Sequence, residues 1–592
     1  MKQKAKKKSL KKNNPGKCIA FFKRGARATF GWVRKNRIRI IASLVLGVIS
    51  SVAYDYMNSG DCHFSIFLMV RSFFLFGLYY FLFFLASFFL QEDYTAGKKL
   101  NGAIMKKIFG GEATSLRQVL LIAGIIMVLW LPYFIAAYPG NMSNDTTGQI
   151  PMFYSMFDSE KEYVMQDQHP VFTTMVFGSI VFLGDKVFGD MHTGLAICII
   201  LQMLVTSCVF SFSIVWMRRK WGTTIRFSLF AVGFLTLFPI VPLMVISLSK
   251  DTFFCWIYVL LVLALFELVR SNFKLIKNRK FLVILTILCL GACLTKKLGI
   301  YIVSGTLILF IVFCGQKLKA RAMMLVPLGV SLVTMFVIMP IIISNTSIKP
   351  SPTKEMFALP LQQTALTYIR HGDEMTEEEL KFLDNLLDLS TLKERYKPSN
   401  GDPVRGPVKD DGDFVGYTKL YLKQLFKYPG SYVDAFANQT AGLFVPYAIS
   451  PIFDNHWHTW NYGYFDESFF EKADFNKRQS EQQKKFYTWF TEAPVLNLST
   501  FSVTYVVFIP TFLFVCLLEK KKKLRDLLSI VPIVASLAGL LLSSMVYYGN
   551  EAMRYIMPFV YTAPILLGYS QYLLRNSSEK RSRLRKRISP QR

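Results

Sequence analysis

The chain has 592 residues, of which 52% are hydrophobic and 15% aromatic, and a formal net charge of +30. Apolar runs of roughly 20 residues recur along it, the length that crosses a hydrocarbon core as a helix, and they exclude a soluble globular protein. Alternating strands of about ten residues are absent, which excludes a transmembrane barrel and leaves an all-α polytopic membrane protein, because only helices or closed barrels satisfy the backbone in lipid.

Residues 1–37 form a basic tail. Hydropathy then predicts about twelve spanning helices, at 38–57, 66–90, 118–138, 193–217, 227–248, 252–270, 281–295, 299–315, 322–344, 500–518, 527–547 and 555–574. About nine fall in 38–344 and three in 500–574, ahead of a second basic tail at 575–592. The run 171–183 is apolar but short. It follows Pro170 and stops at Gly184-Asp185, so it reads as an interfacial or re-entrant helix. The first apolar run has a long basic lead and no small-residue cleavage pattern, which suits a signal anchor.

The positive charge is distributed by side. Arg and Lys crowd the two tails and every second loop: Lys98 to Lys107, Arg218-Arg219-Lys220, Arg270 to Lys280, Lys317 to Arg321 and Lys520 to Arg525. Such loops face the cytoplasm, so both termini are expected inside, in a cell membrane. Because the basic tails flank membrane helices, anionic lipid is a nearer partner than nucleic acid.

The opposite loops are then extracytoplasmic: 139–192, 249–251, 296–298, 345–499 and 548–554. The 345–499 segment is domain-sized and carries 21 Asp and Glu against 17 Lys and Arg. A capping-box start at Thr376-Glu-Glu-Glu379 predicts a mostly helical fold. A later part, Tyr447 to Tyr464, sets His456 and His458 among aromatics. None of the nine cysteines lies in this domain, so a disulfide framework is excluded, and no thiolate spacing suits a metal.

Polar residues with chemical potential gather at the outer helix ends. The first outer loop holds Asn144, Asp145 and Gln149, and Gln168-His169-Pro170 closes it. Lys250-Asp251 and Lys296-Lys297 sit between spans with almost no loop, and Glu551 and Arg554 open the last span. Each has a bland reading beside the functional one. Asp145 in Asn-Asp-Thr-Thr is good capping chemistry. His169-Pro170 serves equally as a loop-to-helix entry. The lysines can snorkel to headgroups, and Glu551 with Arg554 makes a plain i, i+3 pair. Lys on the outer side, against the usual charge bias, favours function.

In order and sidedness these elements resemble the multi-spanning type-C (GT-C fold) glycosyltransferases. Asn144-Asp145 and Gln168-His169-Pro170 look like that fold's first outer loop with its acidic residue. Ser249-Lys250-Asp251 and Lys296-Lys297-Leu-Gly-Ile-Tyr301 resemble its later outer-loop elements. Together with Leu359-Pro-Leu-Gln-Gln363, Asp402-Pro-Val-Arg405 and Glu551-Ala-Met-Arg-Tyr555, they also resemble an uncharacterised branch of Gram-positive bacterial membrane proteins. The likeness runs from about residue 118 onward, with the first two spans as an addition.

The resemblance implies a transferase that takes a sugar from a polyprenyl-phosphate donor and hands it to a cell-envelope glycan, polymer or lipid acceptor outside the membrane. Asp145 would be the general base and His169 its partner. Asn144, Gln149, Lys250, Asp251, Lys296, Lys297, Glu551 and Arg554 would bind substrate, the cations holding the departing phosphate. First loops of that fold often pair two acids, whereas Asn144 precedes Asp145 here; a divalent metal is left open as cofactor, and no metal ligand is assigned. Two other classes stand beside this one. A transporter or flippase of lipid-linked sugars would use broken helices such as that at Pro239 and Pro242. A non-catalytic assembly protein would dispense with Asp145.

Overall fold

A computed structural model describes residues 15–91, 108–109, 115–142, 144–157, 164–446, 485, 489, 493, 501–519, 524–542 and 551–588. The Tyr447–Tyr464 segment and its two histidines lie outside the described residues. The protein is a helical membrane protein, and among the described residues the one sheet is a pair of two-residue strands. Among the described residues eight helices are long and apolar enough to cross a membrane, with three shorter apolar ones beside them.

Helix α1 (Pro15–Ser59) and α2 (Ile66–Gln91) pack as a hairpin, followed by α3 (Leu116–Ala136). The first outer loop carries β1 (Asn141–Met142), α4 (Asn144–Tyr154) and α5 (Val171–Phe188). Next come α6 (Met191–Trp221), α7 (Ile225–Leu237), α8 (Ile240–Val245), β2 (Ser247–Leu248) and α9 (Lys250–Arg270). The expected single span at 227–248 is thus two helices and a strand. Pro239 and Pro242 lack the N–H that would continue the ladder, and the chain turns extended at Phe238. After α10 (Arg279–Thr295), α11 (Gly299–Phe313) and α12 (Leu318–Ser344) comes the inserted domain.

That domain contains α13 (Ala358–His371), α14 (Glu377–Leu387), α15 (Leu389–Arg395), α16 (Phe414–Lys427) and α17 (Pro429–Thr440). They close over their own core of Leu361, Leu383, Leu387, Leu392, Val404 and Tyr417. The expected capping box is present: Glu379 N–H donates to Thr376 Oγ1 at 3.3 Å, and Thr376 N–H to Glu379 Oε2 at 3.1 Å. The domain leans on α1, where Tyr56 donates to Asp434 at 2.7 Å and Asn438 to the Gly60 carbonyl at 2.9 Å. The described chain closes with α18 (Thr504–Glu519), α19 (Leu524–Leu542) and α20 (Glu551–Ile588).

The bundle has two chemically distinct ends. Helices α6, α9 and α20 run parallel. Near their starts, Gln202 donates to the carbonyls of Val245 and Ser247 at 2.8 and 3.0 Å. Near their far ends, Trp221 donates to Glu267, and its ring lies 5.1 Å from that of Tyr569. The starts hold Lys250 and Arg554. The far ends hold Arg218, Arg219, Lys220, Arg270 and Arg575, the basic residues that the sequence assigns to alternate loops.

Helix α5 is longer than expected. Gly184-Asp185 does not end it; the helix continues to Phe188 and closes on Gly189 in the left-handed region. The reason is packing. A Cβ on Gly184 would lie 2.3 Å from the Cα of Gly194 in α6, so the glycine marks a close helix crossing rather than a stop. Although α5 has the length of a span, Phe172 and Phe177 at its head pack on Phe253 at the start of α9. Its tail meets the start of α6. Both ends therefore contact the same end of the bundle, and α5 lies across that end.

Candidate functional site

Six of the residues proposed from sequence, Asp145, His169, Lys250, Asp251, Lys296 and Arg554, meet at the starts of α9 and α20. Backbone pairing brings the first outer loop there. Gly140 adopts φ +119°, and a Cβ on it would lie 2.0 Å from Ile199 Cδ1 and 3.1 Å from the Ile246 carbonyl, so only glycine fits. Asn141 N–H donates to that carbonyl at 3.0 Å. Strands β1 and β2 then pair in parallel, Asn141 opposite Ser247 and Met142 opposite Leu248. Thr146 adds a bond from its hydroxyl to the Leu248 carbonyl at 2.9 Å. The first turn of α4, with Asp145, is thereby pinned beside the first turn of α9.

Lys250 is the first residue of α9, where the helix dipole disfavours a cation by about 0.3–1 kcal/mol. Asp145 offsets this: its Oδ2 is 2.5 Å from Lys250 Nζ. The same oxygen lies 2.7 Å from Arg554 and 3.8 Å from His169 Nδ1. Lys250 also donates to His169 Nδ1 at 2.9 Å. An ammonium has no lone pair to offer, so Nδ1 is the acceptor and the proton resides on Nε2.

A second carboxylate sits deeper. Asp251 is completely buried, and Ser249 Oγ caps the helix by accepting its N–H at 3.0 Å. Its Oδ1 is 2.5 Å from Lys296 Nζ, and its Oδ2 is 3.8 Å from Arg554 Nε. Arg554 therefore faces both acids. Tyr555 lies under the two cations, 4.8 Å from Lys296 and 5.1 Å from Arg554. Lys297 points elsewhere in the same neighbourhood and pairs with Asp167 at 3.1 Å. Asp167 is itself tied to the inserted domain, since its N–H donates to the Lys349 carbonyl at 2.8 Å.

Burial alone would raise the Asp145 carboxyl; Lys250, Arg554 and His169 together hold it far below the ordinary carboxylate range. Burial and Lys250 hold His169 at about 4, against the pull of Asp145. The imidazole is thus neutral near pH 7 and presents an Nε2–H.

Asp145, His169, Lys250, Asp251, Lys296 and Arg554 are brought into one cluster, and Lys297 stands next to it. The snorkelling reading fails for Lys250 and Lys296, which turn inward onto carboxylates. Arg554 contacts Asp145. Gln149 is fully buried one turn into α4, and its amide donates to Thr173 and Thr174 at 3.1 and 2.8 Å. It joins α4 to α5. The side chains of Asn144 and Glu551 lie outside the described ones. Asp167 and Tyr555 belong to the neighbourhood without having been singled out. The only sequence signal for Asp167 was an acid two residues before His169.

A divalent metal does not fit these residues. Asp145 and His169 are the two donors near one another, and Lys250 and Arg554 already face that carboxylate. A dication there would stand against two fixed positive charges. Among the described residues, no group of three or more His, Cys, Asp or Glu is placed to hold a metal.

Residues 156–585 match a family whose description is "Family of unknown function (DUF6020)". The matched stretch contains His169, Lys250, Asp251, Lys296, Lys297 and Arg554 and begins after Asp145. No curated protein and no solved structure matches the chain. The chain belongs to the DUF6020 family.

Proposed function

We propose that the protein is a membrane glycosyltransferase of GT-C type, moving a sugar from a polyprenyl-phosphate donor to a cell-envelope acceptor at the outer face. The observation that carries this reading is the convergence of Lys250 and Arg554 on Asp145 at one end of an apolar bundle. Lys296 and Asp251 lie directly beneath. The cations belong to three separate elements, so they form a pre-arranged receptor for an anion. The end they occupy is opposite the basic loops, which the charge bias assigns to the cytoplasm.

The arrangement suggests an order of events. Without donor, Asp145 is too weak a base to take a proton from a hydroxyl, because its charge is neutralised by Lys250 and Arg554. A donor phosphate entering between those cations would take over their contacts. Asp145 would then regain basicity next to the acceptor. The acceptor oxygen forms its bond to the sugar's anomeric carbon while the bond from that carbon to the phosphate oxygen breaks. The proton goes to Asp145, and the electron pair leaves with the polyprenyl phosphate, which Lys250 and Arg554 retain. His169, protonated on Nε2, donates to substrate and so positions it.

The test is deletion of the gene followed by comparison of envelope glycans, with rescue by the parent chain and by Asp145→Asn. Loss of a glycan modification that the parent restores and the variant does not is the expected result. Full rescue by a well-expressed Asp145→Asn chain rules out the assignment.

A further inference from the structure

A cavity lies at the opposite end of the bundle, away from the Asp145 cluster. It is a cleft of about 900 Å³ between α6, α9 and the start of α10, within the range of roughly 300–1,000 Å³ common for ligand sites. Leu204, Phe212, Leu263, Ala264, Phe281 and Ile284 line its walls. Leu204 and Ile284 are exposed on the outer surface of the bundle, so the cleft opens sideways, toward lipid.

Its polarity is one-ended. Lys220, Arg270 and Lys280 rim the mouth. Arg270 is held by Glu267 at 2.7 Å. Lys220 lies 5.6 Å from the centre of the Trp216 ring, and among the described residues neither Lys220 nor Lys280 pairs with a carboxylate. Exposed Lys274, Lys277 and Arg279 add charge beside them. Tryptophan settles at the headgroup level of a bilayer, which sets the height of the rim.

The depth fits one leaflet. From Leu260 to Ser271 the α9 wall rises roughly 16 Å, at about 1.5 Å per helical residue. Half of a hydrocarbon core is about 15 Å. The geometry points to an anionic glycerophospholipid as the occupant, one acyl chain lying in the cleft and its phosphate held by Lys220 and Lys280. Charge complementarity at the mouth selects the headgroup, and the apolar walls select a chain. This site is independent of the transferase reading and would persist if that reading fell.

Native mass spectrometry of the full-length protein in detergent tests it, with phosphatidylglycerol and phosphatidylcholine of matched acyl chains as probes. One phosphatidylglycerol per chain should be retained in preference to phosphatidylcholine. Lys220→Gln and Lys280→Gln, both at exposed positions, should each lower retention about fivefold, the effect of one cation near an anionic headgroup. Ala264→Phe should displace both lipids by filling the cleft. Equal retention of the two lipids, or unchanged retention in the Lys220→Gln/Lys280→Gln chain, overturns the proposal. So does displacement of phosphatidylglycerol by a lower concentration of a polyprenyl phosphate.

Discussion

Lys250 Nζ and Asp145 Oδ2 stand 2.5 Å apart although they open different helices. What joins them is main chain: β1 and β2 pair directly before each residue. The contact places a cation at a helix start, where a cation is disfavoured. The disfavoured position is occupied in the same place where three other charged residues converge.

Asp145→Asn measures this contact. If the acid were only a cap, the change would cost about 1 kcal/mol or less. Removing one partner from a largely buried ion-pair network instead costs on the order of 2–4 kcal/mol. Thermal unfolding of the purified protein should show the larger loss, and transfer should fall by roughly 10²-fold, the usual share of a positioned base. A variant as stable as the parent would mean that Lys250 and Arg554 do not depend on Asp145.

Asp251 and Lys296 provide a cleaner energetic test because both are buried. Lys296→Met removes the nearest cation from Asp251, leaving it Arg554 and Lys250, and should cost about 3–5 kcal/mol. Adding Asp251→Leu should recover most of that loss, since an apolar pair replaces a charged one. If the double variant is as unstable as the single one, the pair is not coupled.

Stability should depend on pH through His169. Its folded value of about 4 lies below the ordinary value of about 6.5, so the unfolded chain binds the extra proton between these limits. The contribution is complete above pH of about 6.5 and is lost as pH falls toward 4, amounting to about 3 kcal/mol in all. Asp145 loses its own contribution only at lower pH, because its carboxyl is depressed. His169→Gln should flatten the melting curve between these two values and keep the fall below them. A persisting slope in that window would assign it to another group.

Reporter fusions test the sidedness that the proposed function requires. Fusions at Lys220 and Lys277 should report the cytoplasm, and a fusion at Asp411 the exterior. An inside signal at Asp411 would place the inserted domain, and with it Asp167 and the cluster, on the wrong side for an extracytoplasmic transfer.

Eleven of the twelve apolar segments expected from hydropathy fall on helices among the described residues and the twelfth, 227–248, is broken, while eight helices, Val171–Phe188 among them, have the length and apolarity of a span; burial in lipid writes itself into composition one residue at a time. Lys250, Lys296 and Arg554 were legible for a related reason: a charge beside an apolar run is costly unless it is used. Their partners were not legible. That Arg554 meets Asp145 depends on how α20 packs, and no local pattern encodes that contact. The break at Pro239 was visible as a proline, but β2 was not, since two residues of strand carry no periodicity. Gly184 misled for the opposite reason. Glycine signals both a helix stop and a close helix crossing, and only the neighbouring Gly194 separates the two.

The β1–β2 pairing sets how freely this region can vary. It places Asp145 through amide and carbonyl groups that every residue except proline supplies. Side chains at 141, 142, 247 and 248 are therefore released from positioning the acid, and at buried Met142, Ser247 and Leu248 packing alone limits which residues fit. Proline at 141 is the exception, because it removes the N–H that meets the Ile246 carbonyl. Divergent loop letters in two such chains are thus no sign that their acids occupy different places.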